Sequence, residues 1–218
     1  MGTIRQGANG GFSGKAGSVV GSRWKDINYI KGLSKRRTGV ASQLQLEAQA
    51  KFTTAITFLK PIKDLLNLTY ASMRSGRAMG FNMALKHVIK SAIQGDYPDY
   101  SINYSAVNLA VGSLAIATGS VITEDNTSLL VTWDPEPNPH NGFADDRITV
   151  LIYDPETNIY KNGPSDLTRA NGESVIVLRP EMAGKTLEVF YFFTSRDGKK
   201  LSPSYYAGSV ALPELLQS

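Results

Sequence analysis

Residues able to carry out chemistry are scarce in this chain of 218 residues. It has no cysteine and two histidines, His87 and His140, which are far apart in the sequence. Disulfides, thiolate metal sites and thiol nucleophiles are therefore excluded, and His-clustered zinc sites and most histidine-driven acid–base schemes are disfavoured. The composition argues against an enzyme, and we predict no catalytic residue, cofactor or metal site.

The stretch Gly10–Ala16 can be compared with a phosphate-binding loop, in which a glycine is followed, after four intervening residues, by Gly-Lys-Ser/Thr. Asn9 stands at the position of the first glycine, and Ala16 at the position of the magnesium-binding hydroxyl. No predicted strand precedes the motif. Nucleotide hydrolysis is therefore not expected.

Four acids surround a loop rich in proline and asparagine: Asp134, Glu136, Asp145 and Asp146. Carboxylates on such a loop could bind Ca²⁺, but their spacing lacks the EF-hand pattern. We interpret them as solvated loop residues, with calcium binding left open.

Basic and aromatic residues alternate near the N-terminus, at Arg23, Trp24, Lys25, Lys31, Lys35, Arg36 and Arg37. Such a group could neutralise phosphates and stack on bases, although no known nucleic-acid-binding signature accompanies it. The preferred interpretation is a solvated hairpin with Trp24 packed inside, and the alternative is a nucleic-acid surface.

Charge divides the chain into two halves. Residues 1–95 contain 15 Lys and Arg against three acids, a net +12, whereas residues 96–218 contain 8 against 16, a net −8. Opposed charges of this kind suit polyanion binding by the first half or head-to-tail contact between copies.

The elements that must position these residues begin with a glycine-rich stretch up to Gly21, which predicts an arm or a glycine-bent strand. β-rich runs at 18–24 and 27–31 predict a hairpin. Apolar residues at three- and four-residue steps predict a helix over 41–59 with Leu44, Phe52 and Leu59 on its buried face. Pro61 ends it, and further helical segments are predicted up to Tyr70 and over 81–93.

After residue 98 the pattern becomes that of strands. Seven runs rich in β-branched and aromatic residues predict an antiparallel sandwich. They lie at 107–111, 114–117, 129–133, 148–153, 175–178, 187–194 and 205–212. No apolar run approaches the length of a membrane span and no signal-peptide core is visible, so a cytoplasmic protein or a part of a phage-like particle is expected rather than a secreted one.

Several segments resemble a family of uncharacterised Bacteroidota proteins, catalogued as a domain of unknown function. They are the glycine-rich Trp-Lys motif at 10–25 and the segments 42–58, 95–100 and 197–206. The resemblance extends over nearly the whole chain and implies no activity, substrate or catalytic residue.

The second half also resembles an immunoglobulin or fibronectin type III sandwich. Leu129–Pro135 resembles the second strand of the latter, with Trp133 as the core aromatic, and 182–187 resembles the corner before the sixth strand. This implies an Ig-like architecture with Trp133 buried.

Together these observations predict an α+β protein with two domains. Residues 1–95 would form a basic arm, hairpin and helical region, and residues 96–218 an acidic Ig-like sandwich. The leading hypothesis is a non-enzymatic structural or adhesion subunit that self-assembles into oligomers or filaments through its opposed charges and its arm, at Gly10, Gly11, Phe12, Gly14, Gly17, Val19 and Val20. The alternatives are a nucleic-acid-binding accessory protein and a glycan-binding sandwich using Tyr205, Tyr206 and the 135–146 loop.

Overall fold

The N-terminal part of the chain forms a small antiparallel sheet. The computed structural model describes residues 2–3, 12–35, 39–73, 78–125 and 127–213. Within them, four strands stand in the order β1-β4-β3-β2: β1 (Gly2–Thr3), β2 (Gly14–Ala16), β3 (Val19–Trp24) and β4 (Ile27–Gly32). The predicted hairpin is confirmed, because Trp24 pairs with Ile27 across a two-residue turn. Lys25 has a φ of 54° there, the left-handed conformation that such turns require.

Two compact units make up the chain, Met1–Ser42 and Gln43–Ser218. The boundary predicted between residues 95 and 96 thus falls inside the second unit. The physical reason is packing: Phe58, Leu66 and Val88 from the helices share one buried core with Leu151 and Phe190 from the sandwich. The helices therefore belong with the sandwich rather than with the basic hairpin.

In the described residues, the second unit opens with three α-helices: α1 (Gln43–Leu59), α2 (Lys63–Thr69) and α3 (Gly80–Ser91). A 3₁₀ turn, Lys60–Ile62, separates α1 from α2 and carries Pro61 near its start, where the missing N–H costs no hydrogen bond. The predicted buried face of α1 is only partly correct. Ala55, Phe58 and Leu59 are buried, but Leu44 is 77 % and Phe52 47 % exposed. Periodicity reveals an apolar face without showing how far along the helix a partner covers it.

Nine strands follow the helices in the part of the chain that the structure describes. A short ladder pairs β5 (Ile93–Gln94) with β6 (Ser101–Ile102). The other strands are β7 (Gly119–Asp125), β8 (Ser128–Trp133), β9 (Arg147–Asp154), β10 (Ile159–Asn162), β11 (Glu173–Val177), β12 (Thr186–Thr194) and β13 (Tyr205–Ala211). They form two antiparallel sheets, β10-β9-β12-β13 and β11-β8-β7. Leu129 and Val131 of one sheet pack against Val150 and Val189 of the other, so the Ig-like sandwich is confirmed.

The strands predicted at 107–111 and 114–117 are wrong. Both stretches are irregular, although Leu109 and Ala110 are fully buried. Their backbone groups bond outside any ladder: the Thr69 hydroxyl donates to the Leu109 carbonyl, and the Leu109 N–H donates to Ser204 Oγ. A buried apolar run can therefore have the composition of a strand without forming one, because helices and loops satisfy its backbone hydrogen bonds.

Both faces of the β10-β9-β12-β13 sheet are covered. Alternate residues of β9 and β12 face opposite ways: Leu151 and Phe190 pack against the helices, and Val150 and Val189 pack against the three-stranded sheet. Seven consecutive residues of β12, 187–193, are consequently buried. None of the helices in the described part of the chain is long and apolar enough to cross a bilayer.

Candidate interaction surface

The predicted assembly residues lie in the N-terminal sheet. Gly14 begins β2, Gly17 lies in the β2–β3 turn, and Val19 and Val20 open β3. Gly10 and Gly11 lie outside the described residues. Because β3 pairs with β2 on one side and β4 on the other, the main chain of Val19 and Val20 is already used. On the side of the sheet next to β3, strand addition would have to use the outer edge of β2, and β1 forms the opposite edge.

The conformation of β2 also differs from that of a phosphate-binding loop. Gly14–Ala16 is an extended segment paired with Val19–Gly21. A phosphate-binding loop needs consecutive N–H groups converging on one anion at the start of a helix, which an extended strand does not supply.

Strand pairing sorts the side chains of this sheet onto two faces, because paired residues point to the same side. One face carries mainly small residues: Gly14, Ala16, Val19, Gly21, Ile30 and Gly32, with Arg23 and Asn28 near the turn. The opposite face, which we call the aromatic–basic face, carries Lys15, Val20, Trp24, Ile27, Tyr29 and Lys31. Lys15 and Lys31 flank Val20 with their Cα atoms about 10 Å apart, two strand spacings.

Neither face forms a core of its own. Of the described residues 12–35, Gly21 alone is buried. Val20, Ile27 and Tyr29 are only half-buried, and Trp24 is 50 % exposed. A small sheet that buries no large side chain gains little hydrophobic free energy on folding.

The predicted basic cluster is brought together only in part. Lys31 lies on the aromatic–basic face, and the Lys25 ammonium is 5.8 Å from the centre of the Trp24 ring. The Arg23 side chain instead folds over the turn, where Nε donates to the Lys25 carbonyl at 2.8 Å. Lys35 is exposed beyond β4. Arg36 and Arg37 lie outside the described residues.

The exposure of Trp24 shows that the interpretation with Trp24 packed inside is wrong. The basic and aromatic cluster predicted from the sequence also omitted Lys15, which belongs to the aromatic–basic face because β2 pairs with β3. Only the register of β2 on β3 reveals that membership, and no local pattern in the glycine-rich stretch encodes it.

The acidic loop does not gather its carboxylates. Asp146 is buried and pairs with the buried Arg169 at 3.5 Å, whereas Asp145 is exposed and pairs with Arg196 at 3.5 Å. Asp134 accepts a hydrogen bond from the Glu136 N–H at 2.9 Å. The described residues contain no group of three or more acids or histidines that could hold a metal ion. His140 is exposed in this loop, and His87 is half-buried on α3.

The tyrosines considered for glycan binding are packed into the sandwich. The Tyr205 ring lies 5.2 Å from that of Tyr191, and the Tyr206 hydroxyl donates to the buried carboxylate of Glu188 at 2.6 Å. Sugar-binding aromatics need an exposed ring face, so this arrangement does not favour the glycan hypothesis.

Comparison with known proteins places the chain in a family. The model of a family of unknown function, DUF6266, matches residues 11–208. The chain belongs to the DUF6266 family. This match covers the N-terminal sheet from β2 onward, the helices and nearly all of the sandwich. No curated protein matches the sequence.

Two fibronectin type III domains are similar to part of this DUF6266 chain. The FN5 domain of Drosophila Lar is 11 % identical with a TM-score of 0.30, and the match covers 45 % of this chain and 96 % of that domain. The fourth FNIII domain of a human protein is 16 % identical with a TM-score of 0.35, covering 57 % of this chain and 98 % of that domain.

Proposed function

We propose that this protein is a non-enzymatic structural or adhesion-type subunit that self-associates through its N-terminal sheet. The observation that carries the proposal is the sheet without a core: two faces with apolar side chains, and Gly21 as the one buried residue among the described residues 12–35. Association would bury Val20, Ile27 and Trp24 and supply the free energy that the sheet lacks.

Charge supports association between copies. Residues 1–42 contain eight Lys and Arg against one acid, a net +7, and residues 43–218 contain 15 against 18, a net −3. The N-terminal unit of one copy is therefore attracted to the second unit of another, which raises the rate of head-to-tail encounter. Closure of such contacts into a ring or their continuation as a filament depends on the rotation between copies.

The edge of β2 provides a second contribution. Strand addition gives affinity through main-chain hydrogen bonds, and the alternating side chains set the register. Gly10, Gly11 and Phe12 precede β2 in the sequence, so the proposed assembly residues include the segment that leads into this edge strand. The Bacteroidota origin and the setting in the cytoplasm or a phage-like particle are parts of the same proposal.

Deletion of residues 1–17 tests this function. The full chain should form oligomers or filaments in light scattering and negative-stain microscopy, and the deletion should be monomeric while its second unit keeps its unfolding temperature. The matched control is Leu44→Asp, a charge placed on an exposed helix residue outside the sheet. A full chain that stays monomeric at high concentration and low salt would contradict the proposal.

A nucleic-acid-binding accessory protein is the second candidate, favoured by the exposed Trp24 beside Lys25 and on one face with Tyr29 and Lys31. Stacking and phosphate neutralisation would act together there, with Lys35, Arg36 and Arg37 adding charge. Six phosphate contacts would weaken binding by about three orders of magnitude between 50 and 200 mM salt. Strand addition is far less sensitive to salt, so a titration of single-stranded DNA alongside light scattering separates the two candidates.

A further inference from the structure

A cavity of about 680 Å³ lies over β12 where the helical layer ends. Leu65 and Leu68 of α2 and Val111 form one wall, and Phe192 contributes to the floor. Lys199 and Lys200, in the hairpin between β12 and β13, also line the cavity. The volume is within the range of sites that enclose small organic ligands.

The floor changes from apolar to polar along β12. Phe190, Phe192 and Thr194 lie on the same face at two-residue steps, about 7 Å apart. Phe190 is covered by the Tyr206 ring at 5.3 Å, Phe192 contacts the cavity, and Thr194 stands next to the hairpin. Thr149 of β9 pairs with Phe192 and adds a second hydroxyl to this floor.

The apolar wall is incompletely buried. Leu68 is 68 % exposed although it lines the cavity beside the half-buried Leu65. An apolar chain lying between Leu68 and Phe192 would remove this surface from water, which favours binding.

The hairpin supplies a cation at the other end. The Lys199 ammonium lies 3.7 Å from the Asp197 carboxylate. Lys200, by contrast, makes no ion pair with any residue in the described part of the chain, and its backbone N–H is held by Ser195 Oγ at 2.9 Å. The backbone of Lys200 is anchored, and its side chain is exposed at the hairpin end of the cavity.

We propose that this cavity binds an amphiphilic carboxylate, with its apolar chain between Leu68 and Phe192 and its carboxylate at Lys200 and Thr194. The change from apolar to polar side chains along β12 matches both parts of such a ligand. An uncharged hydrocarbon would make no ion pair with Lys200, and a small anion would leave Leu68 exposed to water. The proposal is independent of self-association, because the cavity lies within the second unit.

Dodecanoate, below its micelle concentration, is the probe, and titration calorimetry on the full chain is the measurement. We expect saturable binding of one molecule per chain, with dodecanol weaker than dodecanoate and dodecyltrimethylammonium weakest. Lys200→Glu should weaken dodecanoate about tenfold and leave dodecanol unchanged. Leu68→Asp should weaken both dodecanoate and dodecanol. Neither residue is buried, so the unfolding temperature of each variant should match that of the unaltered chain.

Two controls make the outcome decisive. Leu44→Asp adds the same charge to another exposed leucine, and Lys86→Glu reverses the charge of an exposed lysine on α3 that does not line the cavity. Both should bind dodecanoate as the unaltered chain does. Failure of the unaltered chain to bind dodecanoate, or equal loss in the variants and their controls, would overturn the proposal whatever the oligomeric state.

Discussion

The ring of Phe12 lies so close to Gly21 that a Cβ atom on residue 21 would be 2.6 Å from both Cδ2 and Cε2 of the ring. The Phe12 carbonyl is also within contact distance of that position. Phe12, which leads into β2, thus packs directly on Gly21 of β3. Any side chain at position 21 would displace Phe12. Close backbone approach, rather than flexibility, explains this glycine.

Gly21→Ala should therefore displace the Phe12 segment and destabilise the N-terminal sheet by about 1–3 kcal/mol. Limited proteolysis should cleave residues 12–35 faster in this variant, while the second unit is unaffected. Gly32→Ala is the matched control, since a Cβ there meets no atom within 4 Å. Equal protection of the two variants would show that the Phe12 contact does not hold the sheet.

The two tryptophans should respond very differently to substitution. Trp133 is 4 % exposed, and its indole N–H donates to the Arg169 carbonyl at 2.8 Å. Trp133→Ala should lower the free energy of unfolding by about 3–5 kcal/mol through the cavity and the lost hydrogen bond. Trp24→Ala should change it by about 0.5 kcal/mol or less, because the ring is half exposed. Urea unfolding followed by circular dichroism measures both.

The buried pair of Arg169 and Asp146 supports the loops at one end of the sandwich. Arg169 Nη2 lies 3.5 Å from Asp146 and donates to the Ala115 carbonyl at 2.7 Å, and its guanidinium lies 3.9 Å from the centre of the Phe193 ring. Arg169→Met or Asp146→Asn alone should cost about 3–5 kcal/mol, because the remaining group is left buried without its partner.

The double variant Arg169→Met with Asp146→Asn should cost less than the sum of the two single losses, since it removes both buried charges. Thermal unfolding of all four proteins completes the cycle. Additive losses would show that each residue acts through its other contacts alone.

Asp154 and Lys185 should make stability depend on pH. Burial by itself raises the pKa of Asp154, but hydrogen bonds from Lys185 at 2.7 Å and from Thr157 and the Glu156 N–H outweigh it, and the net pKa is lowered. The resulting stabilisation is present above the unfolded value of about 3.9 and is lost as the pH falls through the lower folded value. The hydrogen bond to Asp154 likewise raises the pKa of Lys185, so its contribution is lost only as the pH rises through that raised value.

Asp154→Asn should consequently be less stable than the unaltered chain by about 1–3 kcal/mol near neutral pH. The difference should begin to shrink below about pH 4, where the unfolded chain takes up a proton, and should be lost only once the pH falls through the lower folded pKa of Asp154. Urea unfolding at a series of pH values measures the difference. A difference in unfolding free energy that stays constant down to pH 2 would show that the Asp154 charge does not cause the stabilisation.

The sandwich should not fold well without its helices. A fragment 96–218 would expose Leu151, Phe190 and Phe192, which the helices bury. We expect this fragment to aggregate, whereas 43–218 should be monodisperse with a cooperative unfolding transition, as light scattering and calorimetry can show. A stable monomer of 96–218 would restore the domain boundary predicted from charge.

Local signals were sufficient for much of the fold. β8, β9, β11, β12 and β13 could be predicted from runs of β-branched and aromatic residues, and the N-terminal hairpin from two such runs around Lys25. β7 (Gly119–Asp125) and β10 (Ile159–Asn162) were missed because glycine, serine, acids and asparagine dilute their apolar content. Their place in the sheets is determined by pairing with β8 and β9 rather than by their own composition.

The sequence does not show which elements of the fold cover each apolar face. The continuous apolar run of β12 marks a strand, but only the structure shows that its second face meets helices rather than water. The charge asymmetry likewise suggested a boundary at residue 95, because net charge reflects the surface and not the core. The aromatic–basic face arises from the register of three strands, which nothing local to Lys15 specifies.

The double covering of β9 and β12 has a consequence for the order in which the molecule opens. Amide hydrogens at Leu151, Val189 and Phe190 lie between two layers that exclude water, so exchange with deuterated solvent there requires disruption of the whole second unit. Exchange rates at these amides therefore report the global free energy of unfolding. Amides of β2 and β3, in a sheet without a core, exchange through local opening, and their protection rises with protein concentration only when another copy covers them.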